Sequence, residues 1–343
     1  MTLNIGLIGG GGIASHHIRG YKEADARIVQ VADSIEEVAR RRAGELGCEW
    51  TTDYHALLER RDIDAVSVCV PNWQHYEVAR AAVVAGKAVL CEKPLATRAE
   101  DAQELVRLVR ERHGYLQVGY MKRHHPVMKK FKELIPQLGG VETGLLRSFQ
   151  PFPEWLWTQP NFWFTIKELS GGGPLVHGGS HMFDLLHWCL GDVAAVDARV
   201  RMRPGTDVEW YVNGILEMRS GATILLEVGW FEHTNRGRLA DGWDEMFQLR
   251  GRDGVLTNYP TFWDRPTALV PSTELYLEAT HATQQFTFGP VDYFAEEMKD
   301  FVHRVSTGEP PSVTVEDGCW VDSIIDALYR SGEGKQRVEL RLG

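Results

Sequence analysis

The 343-residue chain has no C-x-x-C pair among its five cysteines, no zinc-like ligand spacing, and no apolar run near the ~20 residues a membrane helix needs. Cys48, Cys69, Cys91, Cys189 and Cys319 form an odd set. Cys69 and Cys91 sit within the apolar runs VSVCV and AVLCE, where a reduced thiol behaves as a small core residue. This usage excludes a disulfide scaffold and fits a reducing cytoplasm. The N-terminus enters a strand pattern directly, so no secretory leader is expected. A surplus of positive charge is missing too: 37 Lys and Arg stand against 47 Asp and Glu, a formal net charge of −10. That balance leaves no electrostatic footprint for nucleic acid or an anionic membrane. The one dense basic run, KRHHPVMKKFK from Lys122 to Lys132, reads as a helix after Pro126 with Lys129, Lys130 and Lys132 on a solvated face. There is no internal repeat and no low-complexity tract.

What is present suits an ordinary folded protein, with 43% hydrophobic and 24% charged residues and enough length for two cores. Up to about residue 120, apolar runs of strand length (NIGLIG, ARIVQVAD, DAVSVCVP, KAVLCEKP, YLQVGY) alternate with amphipathic helical segments. Strands apolar throughout and separated by helices predict a parallel sheet covered on both faces, a doubly wound α/β domain over residues 1–120. From 121 to 343 the texture changes. AAVDARVRMR, WYVNGILEMR, ATILLEVGWF, EMFQLRG and GVLTNY alternate apolar with polar residues, which predicts an α+β domain with a large open, mostly antiparallel sheet. Two helices closed by glycine, then a last strand in QRVELRL, end the chain.

The first strand runs into GLIGGGGIASHH, a G-x-G-x-x-A spacing of Gly9, Gly11 and Ala14 at a strand-to-helix turn. Glycines there allow a tight turn and a close approach to a pyrophosphate, which rests on the open N–H groups of the helix start. Gly12 and Ile13 complete the turn. Asp33 lies 24 residues after Gly9 at the end of the second strand, where a carboxylate accepts hydrogen bonds from an adenosine ribose and repels a 2′-phosphate. Ser34 and Ile35 follow it rather than an arginine, which favours NAD over NADP; Arg40, Arg41 and Arg42 keep NADP as the alternative. Asp33 is also a candidate N-cap for the next helix. Two later strand ends place Pro71, Asn72 and His75, then Glu92, Lys93 and Pro94, where ligands of open α/β sheets bind. Lys93, just before proline, is held extended.

The stretch GGGPLVHGGSHMFDLLHW, 171–188, spaces His177, His181, Asp184 and His187 by four, three and three residues. One continuous helix would bring them to a common face and make a metal site conceivable. Gly178 and Gly179 instead predict a helix beginning with Ser180 as N-cap and leaving His177 outside, with no metal bound. Before the glycines, PFPEWLWTQPNFWFTIKE carries Trp155, Trp157, Phe162, Trp163 and Phe164, suited to stacking on sugar rings, to a hydrophobic lid, or to a subunit contact.

Taken together, GLIGGGGIA, VPNWQHYEVARAAVVAGKAVLCEKPLA, VGYMKRHHP, GGGPLVHGGSHMFDLLHWCLGD and the closing EDG and ALYRS segments resemble the Gfo/Idh/MocA oxidoreductases. The resemblance implies an N-terminal Rossmann domain, a C-terminal domain whose open sheet mediates homodimers or homotetramers, and NAD(P)-dependent hydride transfer at a secondary hydroxyl or ketone of a sugar or polyol. It matches Lys93 to the lysine of the family's E-K-P motif and His181 to its catalytic histidine, and it aligns Arg123 with an arginine that contacts substrate or braces the crevice. His181 is then expected as general base, with Lys93 holding the hydroxyl oxygen. Trp163, Asp184 and His177 are expected near the substrate. At His177 the chain departs from the family, which usually carries aspartate there. That change leaves open a different substrate, a loss of dehydrogenase activity in favour of sugar or dinucleotide sensing, or an NAD-dependent glycosidase.

Overall fold

The computed structural model describes residues 2–233, 235, 242–259 and 272–340. In chain order its elements are β1 (Leu3–Ile8), α1 (Ala14–Glu23), β2 (Ala26–Ala32), α2 (Glu36–Leu46), β3 (Glu49–Thr51), α3 (Tyr54–Leu58), β4 (Ala65–Val68), α4 (His75–Val84), β5 (Ala88–Cys91), α5 (Ala99–Arg112), β6 (Leu116–Val118) and α6 (Pro126–Leu134). There follow β7 (Val141–Pro151), α7 (Glu154–Trp157), α8 (Lys167–Ser170), α9 (Ser180–Leu190), β8 (Val193–Met202), β9 (Glu209–Met218), β10 (Thr223–Phe231), β11 (Asp244–Gly251) and β12 (Gly254–Tyr259). The last elements are β13 (Ser272–Leu277), β14 (Ala282–Thr287), α10 (Tyr293–Thr307), α11 (Val315–Gly334) and β15 (Val338–Glu339).

Two compact units form. One takes Met1–Met121 together with Asp292–Asp322; the other takes Lys122–Val291 and Ser323–Gly343. The return of 292–322 to the first unit differs from a simple division after residue 120, and packing explains it. Met298, Phe301 and Val302 of α10 join Ile5, Leu7, Ile18 and Tyr21 in one core. Each such buried side chain contributes about 1.5–3 kcal/mol, more than the returning helix would gain on a solvated surface.

The first unit holds a six-stranded sheet of order β3-β2-β1-β4-β5-β6, parallel throughout. Its strands are largely apolar on both faces because helices cover both, as their Val, Ile and Leu content predicts, with Gln30 and Ser67 as buried polar exceptions. Strand order reverses between β1 and β4, which opens a crevice beyond their carboxyl ends. The turn after β1 ends at that crevice.

The second unit holds nine strands in the order β14-β13-β12-β11-β7-β10-β9-β8-β15. All neighbours are antiparallel except the central β7 and β10, which run parallel. Alternation along β7 buries Gly144, Leu146 and Ser148 on the helix-covered face, where α6 packs with Phe131 against Phe247. The opposite face carries Arg147, Ile215, Leu225 and Glu227, with Ile215 41% and Leu225 49% exposed. The final strand is shorter than expected, and its last expected residues lie outside the described ones.

Candidate active site

In the first unit the turn after β1 is built around Gly9, whose φ of +95° suits glycine and whose added Cβ would stand 2.5 Å from the Cys69 carbonyl oxygen at the end of β4. Gly11 and Gly12 face the other way. A Cβ on either meets nothing within 4 Å, so that side of the turn is open. No side chain caps α1, whereas Asp53, His125 and Asp292 cap α3, α6 and α10. Uncapped N–H groups beside an open glycine turn are what a pyrophosphate uses, so the residues present fit a dinucleotide.

Asp33 reaches this turn: its Oδ2 accepts from Gly10 N–H at 2.8 Å and its Oδ1 from Ile35 N–H at 2.9 Å. Ile35, not Asp33, stands at the N-cap position of α2. Arg42 braces the turn from behind, donating from Nε to the Gly10 carbonyl (2.9 Å) and from Nη2 to the Gly11 carbonyl (3.2 Å) and Ser15 Oγ (2.7 Å). Of the three arginines that kept NADP open, Arg42 is thus committed to backbone, and Arg40 lies over the Trp50 ring.

At the next strand ends, Pro71 precedes a short 3-10 turn and Asn72 is buried. His75 does not present its ring nitrogens outward. Nδ1 lies 2.6 Å from the Pro94 carbonyl and Nε2 2.8 Å from that of Val70, and burial pushes its pKa down, so the imidazole ties two loops together. Glu92 is buried as well. Burial opposes its charge, but a 2.9 Å contact with His17 Nε2 and the nearby Lys93 hold its carboxyl below the usual range. Lys93 is half-buried, one residue on, with a cis peptide bond to Pro94. The loop beyond is pinned where Ala96 N–H donates to Asp322, an isolated buried acid pushed up to about 8.

In the second unit the glycine-rich loop is anchored by Glu209. Its fully buried carboxylate accepts from Gly173 N–H (3.0 Å), Leu175 N–H (2.9 Å) and the Tyr329 hydroxyl. The chain then enters a π-helical turn, Leu175–Gly179, which runs without interruption into α9. The α-helix does start at Ser180 as expected, but Ser180 is not its N-cap and His177 lies within the helical turn that precedes it. Gly179 has right-handed helical dihedrals, and Ser180 caps nothing. Gly178 and Gly179 allow close approach instead of ending a helix: a Cβ on Gly178 would lie 2.3 Å from Gln150 Nε2, and one on Gly179 3.4 Å from Val228.

The four chemical side chains of this segment diverge. Asp184 is wholly buried and receives Arg123 in a two-pronged pair, Nε to Oδ2 at 2.9 Å and Nη2 to Oδ1 at 2.6 Å. His187 faces Asp192 at 3.5 Å. His181 is buried in the first turn of α9. His177 is half-buried against rings, stacked on Phe164 at 4.1 Å between centroids, with Trp230 at 5.3 Å and Trp163 at 5.9 Å. The basic run is also less solvated than expected. Lys122 pairs with buried Glu245 at 2.5 Å, Lys130 and Lys132 lie over Phe286 and Trp188, and only Lys129 of the helix lysines is exposed.

Two family models match this chain. One, described as an oxidoreductase family with an NAD-binding Rossmann fold, covers residues 3–120, and the other, the GFO/IDH/MocA C-terminal domain, covers 129–257. The chain belongs to the Gfo/Idh/MocA oxidoreductase family. Among curated Gfo/Idh/MocA relatives, inositol 2-dehydrogenase of Rhizobium meliloti (strain 1021) is 27% identical over 349 residues, covering 99% of this chain and 100% of its own. A dTDP-3,4-didehydro-2,6-dideoxy-alpha-D-glucose 3-reductase of Actinomadura kijaniata is 30% identical over 335 residues, 95% of this chain and 94% of the relative. A solved levoglucosan dehydrogenase in complex with NADH and levoglucosan superposes with a TM-score of 0.86 at 22% identity, covering 99% of both chains; it shows the shared fold. Residues 3–120, most of the first unit, are thus the NAD-binding Rossmann fold of a Gfo/Idh/MocA oxidoreductase. Glu209, Tyr329, Ser67 and His17 carry no motif of their own, and sequence reasoning passed over them. Arg42 was singled out only as a possible phosphate contact.

Proposed function

We propose that this protein uses NAD to oxidise a secondary hydroxyl of a sugar, polyol or sugar derivative, or reduces the corresponding ketone. The observation that carries the reading is an open glycine turn with Asp33 beside it, in a family of nicotinamide oxidoreductases, together with Lys93 at a strand end and a buried His181. NAD, when bound, supplies the hydride acceptor. In oxidation the carbinol carbon gives up its hydrogen with both electrons, and the hydroxyl proton leaves to His181 as the C=O bond forms. Lys93 donates a hydrogen bond to the hydroxyl oxygen and stabilises its developing negative charge. Arg123 and Asp184 act on each other and support α9, so their part is positioning. Phe164 and the His177 ring stack on each other with Trp163 tilted across them, an aromatic cluster that offers apolar surface to the C–H face of a pyranose or cyclitol. Inositol and a dTDP-linked keto-sugar, named for two relatives, have such faces.

The test is NADH formation, followed by near-ultraviolet absorbance, across free sugars, sugar acids, inositols and glycosides. Lys93→Ala and His181→Ala should each lower kcat about 10²-fold or more while NAD affinity stays within a few fold. Full activity in either variant removes that residue from the mechanism. NAD binding without turnover on any substrate would replace the dehydrogenase with a sensor or a cofactor-recycling glycosidase.

The same reading places the protein in the cytoplasm as a homo-oligomer. No described helix is long and apolar enough to cross a membrane. The open sheet face mixes exposed Ile215 and Leu225 with Arg147–Glu227 and Arg199–Asp197 ion pairs, a surface able to meet its own copy. Light scattering should give a dimer or tetramer that Leu225→Glu weakens; a monomer at micromolar concentration would refute this.

A further inference from the structure

Beneath Lys93 the first unit buries a chain of polar groups that the proposed chemistry does not use. Tyr21 Oη lies 2.6 Å from Ser67 Oγ, Ser67 Oγ lies 3.1 Å from His17 Nδ1, and His17 Nε2 lies 2.9 Å from Glu92 Oε1. Glu92 Oε2 in turn accepts from the Lys93 backbone N–H at 3.2 Å. His17 and Ser67 are wholly buried, and Tyr21 and Glu92 nearly so. The donors order themselves. An ionised carboxylate only accepts, so His17 donates from Nε2; its Nδ1 then accepts from the Ser67 hydroxyl, which accepts from Tyr21. Each member is satisfied with a neutral imidazole, and the chain points one way, toward Glu92.

A packed core would tolerate apolar residues at α1 and β4 at lower cost than a line of hydroxyls, an imidazole and a carboxylate. What the line accomplishes is a fixed negative charge one residue from Lys93. The groups facing it are His17 from α1, His75 from α4, Cys69 beyond β4, Cys91 at the end of β5, and Lys93 itself; Glu297 of α10 faces Tyr21 and Cys69. Burial keeps the Tyr21 phenol and both thiols protonated, and His17, Lys93 and His75 are the neighbours that favour the charge on Glu92.

We propose that His17, backed by Ser67 and Tyr21, is a positioning residue that keeps Glu92 ionised and so keeps the Lys93 ammonium charged and directed for its work on the substrate hydroxyl. Without His17, buried Glu92 loses its hydrogen-bond donor and one of the groups that offset its burial, so it takes a proton more readily and Lys93 loses a neighbouring negative charge. The inference rests on the role given to Lys93 above, and its test separates the two. In protein labelled with 13C at lysine Cε, the Lys93 resonance, assigned with Lys93→Arg, is titrated without substrate or turnover. In His17→Ala, Lys93 should lose its proton at a pH lower by about one unit. His17→Gln keeps an N–H donor toward Glu92 and should return the titration toward wild type, while Ser67→Ala should move it less than His17→Ala and in the same direction. With an active substrate, the alkaline limb of kcat against pH should shift by the same amount in His17→Ala, with KM for NAD within a few fold.

A Lys93 titration unmoved in folded His17→Ala overturns the proposal. If that variant does not fold, an unmoved titration in Ser67→Ala overturns it as well. Absence of any NADH formation by the wild-type protein would instead count against the dehydrogenase reading, and leaves the titration result standing on its own.

Discussion

Each unit contains a glycine-rich turn that leads into a helix, and the two turns use glycine for opposite reasons. After β1, Gly11 and Gly12 border empty space, so the missing side chains leave room for something that is not protein. Before α9, the missing side chains are already replaced by protein: a Cβ on Gly172 would sit 1.9 Å from Tyr329 Oη, and one on Gly173 would sit 2.2 Å from the Glu209 carbonyl. The first turn is made for a ligand. The second is made to fit tightly, so that the residues following it are held still. Counting glycines does not separate the two cases; asking what a methyl group would touch does.

The largest expected effect comes from filling the tight turn. Gly172→Ala, with φ at +153° and a hydroxyl in the way, should cost about 3 kcal/mol or more, read as a lower urea midpoint. Combining it with Tyr329→Phe removes the clashing oxygen and should recover part of that loss. No recovery would trace the cost to the backbone instead of the contact. A smaller effect, on binding and not on folding, is expected at the open turn. Gly11→Ala should leave stability within about 0.5 kcal/mol of wild type while weakening NAD binding roughly tenfold, measured by calorimetry. Unchanged NAD affinity would break the comparison, and so would a stability loss as large as that of Gly172→Ala.

The contrast also marks how far the residues alone could be read. β1, β2, β4 and β5 are mostly buried on both faces, and their largely apolar runs made the parallel sheet plain. The alternating runs of the second unit were equally clear, because one sheet face is covered and the other open. The segment around His177 misled. Paired glycines usually stop a helix, and nothing local reveals that Gln150, on a strand distant in sequence, presses against Gly178. Asp184 looked like a substrate ligand by its place on α9, yet its partner Arg123 lies 61 residues away. Long-range polar pairing of this kind, including His17 with Glu92 across 75 residues, leaves no local pattern to find.

The parallel pairing of β7 with β10 has a consequence for how the protein is made. Antiparallel neighbours close through a short hairpin, but a parallel pair requires the chain to travel back before it pairs. Here the returning stretch holds the aromatic segment, the glycine loop, α9, β8 and β9. His177 and His181 therefore lie within the long stretch of chain that must be spanned before β7 pairs with β10, and again before it pairs with β11, and such loops close more slowly than the hairpins of the same sheet. During refolding, recovery of activity should lag behind recovery of sheet content.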